Sequence, residues 1–157
     1  MSSKVTNIVI AGLGGQGVLK ASDIVAEAAF SSGLEVKKSE VHGMSQRGGS
    51  VSSDVRFGGQ VFSPMVPEGE ADFLLVLTPD QIVVNQAMLR KDGVLLEPSQ
   101  IDRARLHSEK CLNVALLGRL SRALDLSEDV WVAAIKRNLP EKLHEANLAA
   151  FKTGREA

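Results

Sequence analysis

The chain has 157 residues, with 18 Lys plus Arg against 19 Asp plus Glu, 44% apolar residues and one cysteine. That length buries roughly 70% of the surface of the unfolded form, so a single domain spanning residues 1–157 needs neither disulfides nor a structural metal. A net charge of −1 with 4% aromatics and no Tyr argues against nucleic acid, and no apolar stretch reaches the roughly 18 to 20 residues of a membrane span. Neither a signal peptide nor a membrane partner is expected, and the lone Cys111 excludes an intrachain disulfide, a four-thiolate zinc site and a cysteine-held iron–sulfur cluster, as suits a cytoplasmic protein.

Lys4 to Ala11 (KVTNIVIA) is a short β-branched run bounded by Gly12, which predicts a strand buried in a parallel sheet. Val18, Ala21, Ile24, Val25, Ala28 and Ala29 follow helical spacing up to Phe30, and Gly33 stands where a C-terminal cap belongs. Leu34 to Val41 reads as a second strand and the following VHGMSQRGGS as a loop. Val51 to Phe57 alternates, and Gly58-Gly59 predicts a hairpin turn into a partner strand over Gln60 to Ser63. Asp72 to Leu77 is a fully buried strand, Thr78-Pro79-Asp80 a capped helix start, and Asp92-Gly93 a turn into a short strand from Val94 to Glu97. Ile101 to Lys110 stays mostly loop. Beyond it, Val114, Leu117, Leu120 and Leu124, then Val130, Ala133, Ala134 and Ile135, keep the helical period; Leu139-Pro140 breaks it and Lys142 to Thr153 resumes it. The expected architecture is a three-layer α/β/α domain with a mostly parallel mixed sheet, an antiparallel hairpin and a helical C-terminal end.

Ten of the fourteen glycines lie between positions 12 and 59, which directs attention to two loops. Gly12, Gly14, Gly15, Gln16 and Gly17 form G-x-G-x-x-G between a buried strand and a helix, a setting that aims backbone N–H groups and a helix dipole at an anion. Three readings stay open: glycines that only close the corner, a loop that binds an anion or cofactor, and a backbone surface for another subunit. A dinucleotide would also need an acidic residue near the end of the second strand. Glu35 falls at its start and Glu40 follows Lys37-Lys38, so that reading is weak. The second loop gathers His42, Gly43, Met44, Gln46, Arg47, Gly48, Gly49 and Ser50 at a strand's carboxyl end, where ligands sit in open α/β sheets. Its alternative is internal: Arg47 pairing with Glu40 or Asp54, and His42 satisfying loop carbonyls.

The segments IVIAGLGGQGVLKAS (Ile8 to Ser22), SEVHGMSQRGGSVSSDVRFG (Ser39 to Gly58) and PEGEADFLLVL (Pro67 to Leu77) resemble the beta subunit of indolepyruvate ferredoxin oxidoreductase. That family is the gamma-type module of the 2-oxoacid:ferredoxin oxidoreductases. CLNVALLG from Cys111 and the stretch from Asn138 through Asn147 to Gly154 resemble its closing helices, whereas Gln81 to Lys110 is indistinct and shorter than the family leads one to expect. HGMSQRGG carries the match; GLGGQG alone would prove little.

The resemblance implies oxidative decarboxylation of an aryl 2-oxoacid such as indolepyruvate, with coenzyme A, to an acyl-CoA, in amino-acid catabolism. Electrons pass through thiamine diphosphate and iron–sulfur clusters to ferredoxin. It implies that thiamine diphosphate, magnesium and clusters reside on a large alpha subunit, since this chain lacks both the cysteines and the G-D-G segment for them. No catalytic residue and no bound cofactor are assigned to this chain. Its two loops would close over the partner's site, with Arg47 a carboxylate or phosphate clamp. Other readings are a free-standing dinucleotide-binding or regulatory module and a pure assembly scaffold, and homodimerisation of the isolated chain stays open. Glu141, His144 and Glu145 read as a solvated face rather than a metal site, Cys111 as a small buried residue, and Trp131 as core or interface. Arg90-Lys91, Arg103 and Arg105 read as surface that could also attract ferredoxin or the phosphates of coenzyme A.

Overall fold

The computed structural model describes residues 4–42 and 49–157, with backbone only at His42. Five strands, β1 (Val5–Leu13), β2 (Glu35–His42), β3 (Ser50–Gly58), β4 (Ala71–Val76) and β5 (Leu89–Leu96), form one sheet in the order β2-β3-β1-β4-β5. β1 pairs in parallel with β4, and β4 with β5, while β3 is antiparallel to both β1 and β2. Four strands therefore run one way and β3 alone runs the other. The carboxyl ends of β1, β2, β4 and β5 share one end of the sheet with the start of β3.

Period-two geometry sorts β1 to two cores. Ile8 and Ile10, with Val55, Phe57 and Leu75, face α1 (Val18–Ser31), α3 (Leu112–Ser121), α4 (Glu128–Asn138) and α5 (His144–Arg155). Val9, Leu74 and Val76 face the other way, against Val66 and, from α2 (Asp80–Asn85) and the turn after it, Ile82 and Met88. The domain thus has helices on both sides of a mixed sheet, in very unequal amounts. Trp131 is fully buried in the thicker layer, with its ring centroid 5.9 Å from that of Phe151. α3 and α5 cross in backbone contact, because a Cβ at Gly118 would run into the Phe151 carbonyl and one at Gly154 into the Ala115 carbonyl.

The antiparallel hairpin exists, but it joins β2 to β3 through the glycine-rich loop. The expected partner strand over Gln60 to Ser63 does not form, since β2 and β1 already occupy both edges of β3. Residues 59–70 instead make a strap across the thinner face. Val61 N–H donates to Glu35 Oε1 (3.0 Å), Val66 N–H to Asp54 Oδ2 (2.9 Å), and Arg56 Nη1 to the carbonyls of Ser63 (2.9 Å) and Met65 (3.2 Å).

Asp92-Gly93 lies within β5 rather than between elements. The register against β4 jumps there from Ala71 opposite Leu89 to Phe73 opposite Val94, so the dipeptide marks an irregular stretch before the regular pairing of Val94 to Leu96. Thr78 does not cap α2: the N-cap is Pro79, with no side-chain bond. Gly33, at φ 86°, does close α1, its N–H donating to Phe30 O (3.0 Å). Ile101 to Lys110 is irregular apart from single turns at Arg103–Arg105 and, at its end, Glu109–Cys111, capped by Asp102 and Ser108.

Candidate functional site

The first glycine loop is built by local bonds. Gln16 N–H donates to Leu13 O (3.1 Å), and Leu13 N–H donates back to Gln16 Oε1 (2.7 Å), so Gln16 closes the turn with both its backbone and its side chain. Gly12 must be small because a Cβ there would lie 2.8 Å from Gln16 Oε1 and 3.2 Å from Leu77 Cβ. Gly17 is the N-cap of α1 at φ 85°, with no side-chain cap and no acidic residue in the first turn. The amide of Asn113, 7% exposed and 96 residues further on, donates through Nδ2 to Gly17 O (3.2 Å) while its Oδ1 accepts from Val114 N–H (2.9 Å). The first turn of this 14-residue helix therefore brings no acidic side chain to its positive end.

The second loop rises from the same end of the sheet. His42 closes β2 opposite Val51, and Ser50 opens β3 opposite Leu13. Gly14 N–H donates to Gly49 O (2.9 Å), a backbone bond that joins the two loops. Gly43, Met44, Gln46, Arg47 and Gly48, with the His42 side chain, lie outside the described residues. Of the acids weighed as partners for Arg47, Glu40 pairs with Lys38 (3.1 Å) and Asp54 accepts from Val66. Burial pushes the Asp54 carboxyl above its ordinary value, against the lowering effects of that bond and of Arg56.

After β1 the chain turns to α1 on the thick face; after neighbouring β4 it turns to α2 on the thin one. Adjacent parallel strands whose connections leave to opposite faces open a crevice at their carboxyl ends, where ligands bind in such sheets. A crevice of about 360 Å³ lies there, lined by Gly15, Gln16 and Gly17, by Leu77, Thr78, Pro79 and Pro98, and by Arg103, Glu109, Lys110 and Leu112. Arg103 and Glu109 form a two-pronged pair, Nη2 to Oε2 at 2.8 Å and Nε to Oε1 at 3.1 Å. That hydrogen bonding holds the Glu109 carboxyl below its ordinary value. A hollow of about 420 Å³ opens at the opposite end of the sheet around Phe57, Asp72, Phe73 and Arg90, but Asp72 there is engaged by Asn7 N–H (2.8 Å) and Arg90 Nε (3.2 Å).

The residues that the sequence did not reveal are Asn113 and, as crevice-lining groups, Thr78, Glu109 and Lys110; Arg103, expected as surface that could also attract ferredoxin or the phosphates of coenzyme A, lines the crevice. Asn113 left a trace, being a carboxamide inside the apolar run of α3. The dinucleotide reading loses its geometry, because β3 stands between β1 and β2 and Glu35 begins β2 at the far end. His144 Nε2 lies 2.9 Å from Lys136 O and 2.8 Å from Leu139 O at the end of α4, so it caps that helix. Among the described residues no His, Cys, Asp and Glu cluster could hold a metal. Cys111 is buried, and burial raises its thiol above the ordinary value. Among the described residues no helix is long and apolar enough to cross a membrane.

The family model described as pyruvate ferredoxin/flavodoxin oxidoreductase matches residues 7–104 and 98–157. The chain is 34% identical to the indolepyruvate oxidoreductase subunit IorB of Thermococcus kodakarensis, covering 94% of this chain and 93% of that protein. Their alignment spans 188 positions, more than this chain has residues, so the relative carries segments absent here. Among solved structures, the gamma subunit of a keto/oxoacid ferredoxin oxidoreductase from Geobacter sulfurreducens superposes with a TM-score of 0.81 at 29% identity, covering 96% of both chains. The fold also recurs in a 2-oxoglutarate:ferredoxin oxidoreductase from Magnetococcus marinus (TM-score 0.82, 20% identity), over 99% of this chain and 31% of that one.

Proposed function

The chain belongs to the pyruvate ferredoxin/flavodoxin oxidoreductase family, and from that premise we propose that it is the small subunit of an oxidoreductase acting on an aryl 2-oxoacid such as indolepyruvate. In this reading its two glycine loops close over the active site of a large partner subunit, and the crevice beside them takes the phosphates of coenzyme A. The observation that carries it is the Gly14–Gly49 bond, which ties the first loop, whose Gly15 to Gly17 line a crevice with Arg103 and Lys110 in its wall, to the foot of the second. Two further points support it. The Magnetococcus relative was solved with 2-oxoglutarate, coenzyme A and succinyl-CoA bound, and the IorB relative is an indolepyruvate oxidoreductase subunit.

The partner-borne groups, thiamine diphosphate with magnesium and iron–sulfur clusters, supply carbanion stabilisation and electron transfer. One cysteine cannot supply the ligands of an iron–sulfur cluster, which supports placing the clusters on the partner. What the chain itself contributes is binding, orientation and exclusion of water. Backbone N–H groups and the α1 terminus attract phosphate, Arg47 clamps a carboxylate or phosphate, and the closed loops keep bulk water from the reacting carbon.

The test is co-expression with the large subunit and assay of oxoacid-dependent acceptor reduction, with indolepyruvate, pyruvate and 2-oxoglutarate compared. Arg47→Ala is expected to assemble normally and lose turnover. Unchanged turnover would overturn the clamp, failure to assemble would favour a pure scaffold, and preference for a non-aryl acid would overturn the substrate assignment. Micromolar binding of NAD, NADP or FAD to the isolated chain would favour the dinucleotide module instead.

A further inference from the structure

Arg103 and Glu109 sit on two separate single turns that come together in the wall of the crevice. A guanidinium fork accepts carboxylate and phosphate in the same two-pronged geometry, so Glu109 occupies the position an incoming phosphate oxygen pair would take. We propose that Glu109 is an exchangeable occupant of Arg103, holding the fork until a phosphate group of the incoming ligand displaces its carboxylate. The inference rests on the reading that the crevice takes the phosphates of coenzyme A.

The exchange costs little. The two side chains are 49% and 64% exposed, and ion pairs that exposed contribute little to stability. The ligand gains what Glu109 lacks, a second negative charge on a phosphate, in a crevice walled also by Lys110 and by Gly17 at the uncapped start of α1.

Calorimetric titration of the whole chain with coenzyme A and with inorganic pyrophosphate tests the proposal in four forms: the unaltered chain, Glu109→Gln, Arg103→Gln and the double variant, each first checked for an unchanged melting transition. Removing the internal competitor is expected to tighten binding about two- to fivefold, the value of an exposed ion pair. In the Arg103→Gln background the same change should have no such effect, because there is no fork left to vacate. Equal tightening in both backgrounds would reduce Glu109 to a distant negative charge and overturn the exchange. Equal or weaker binding by Glu109→Gln would overturn it too, while the crevice reading survives. If neither probe binds the unaltered chain, the crevice reading fails and the exchange with it.

Discussion

Asn113 and Gly17 form the tightest residue-scale constraint at the site. The Asn113 carboxamide occupies the space a Cβ on Gly17 would need, and Gly17 also has a left-handed backbone. Gly17→Ala is therefore expected to lose about 1–3 kcal/mol by urea unfolding. Asn113→Ala, which leaves the buried Val114 N–H without its side-chain acceptor, should cost about 1–3 kcal/mol in the same measurement. Asp54 gives a pH prediction. Its folded carboxyl titrates above the unfolded one because burial outweighs the Val66 bond and the Arg56 charge. The folded state thus binds its proton more tightly, so Asp54's contribution favours folding at low pH and declines as pH rises from the ordinary aspartate range through the raised value. In Asp54→Asn that component of the pH–stability slope should vanish; an unchanged slope would show that the group is not perturbed.

Element by element, the pattern of hydrophobicity was a better guide than the punctuation. β1 and β4 follow from short continuous apolar runs, because each is buried on both faces, and α1 and the three late helices follow from period 3.6. Gly58-Gly59 and Asp92-Gly93 misled for a shared reason: glycine marks tight backbone, and only the neighbours decide whether that is a turn between elements or an irregularity within one. β3 had no free edge left for a hairpin partner, and the close approach at Gly93 was to Leu89 and Ala71 of its own sheet. The strap could not be read from sequence because its anchors Glu35, Asp54 and Arg56 lie in other segments. The α3–α5 crossing was equally hidden, since Gly118 and Gly154 are 36 positions apart and nothing local marks them as a pair. Gly118→Ala or Gly154→Ala is expected to cost about 3 kcal/mol, the upper end for overpacking, read as a lowered thermal midpoint.

At the scale of the whole molecule, the candidate site was half legible. The carboxyl-end position of both loops follows from strand–loop order, and the loop motif carried the family resemblance. The crevice beside the first loop depends on which face each connection takes after β1 and β4, and that is a property of the assembled sheet. The two layers also differ in how firmly they are held. Trp131→Ala in the thick layer should cost about 3–5 kcal/mol in global stability. Amides of the strap and of α2, over the small core around Val66 and Leu74, should exchange with deuterium through openings of lower free energy than those of β1 and α1. Uniform protection across both faces would contradict that division.

The bond from Gly14 to Gly49 gives the molecule a native reporter. One amide proton on the first loop is held by a carbonyl of the second, so its chemical shift registers how the two are seated against each other. Following that resonance while the large subunit or coenzyme A is added would show, without any attached label, whether occupying one loop is felt by the other.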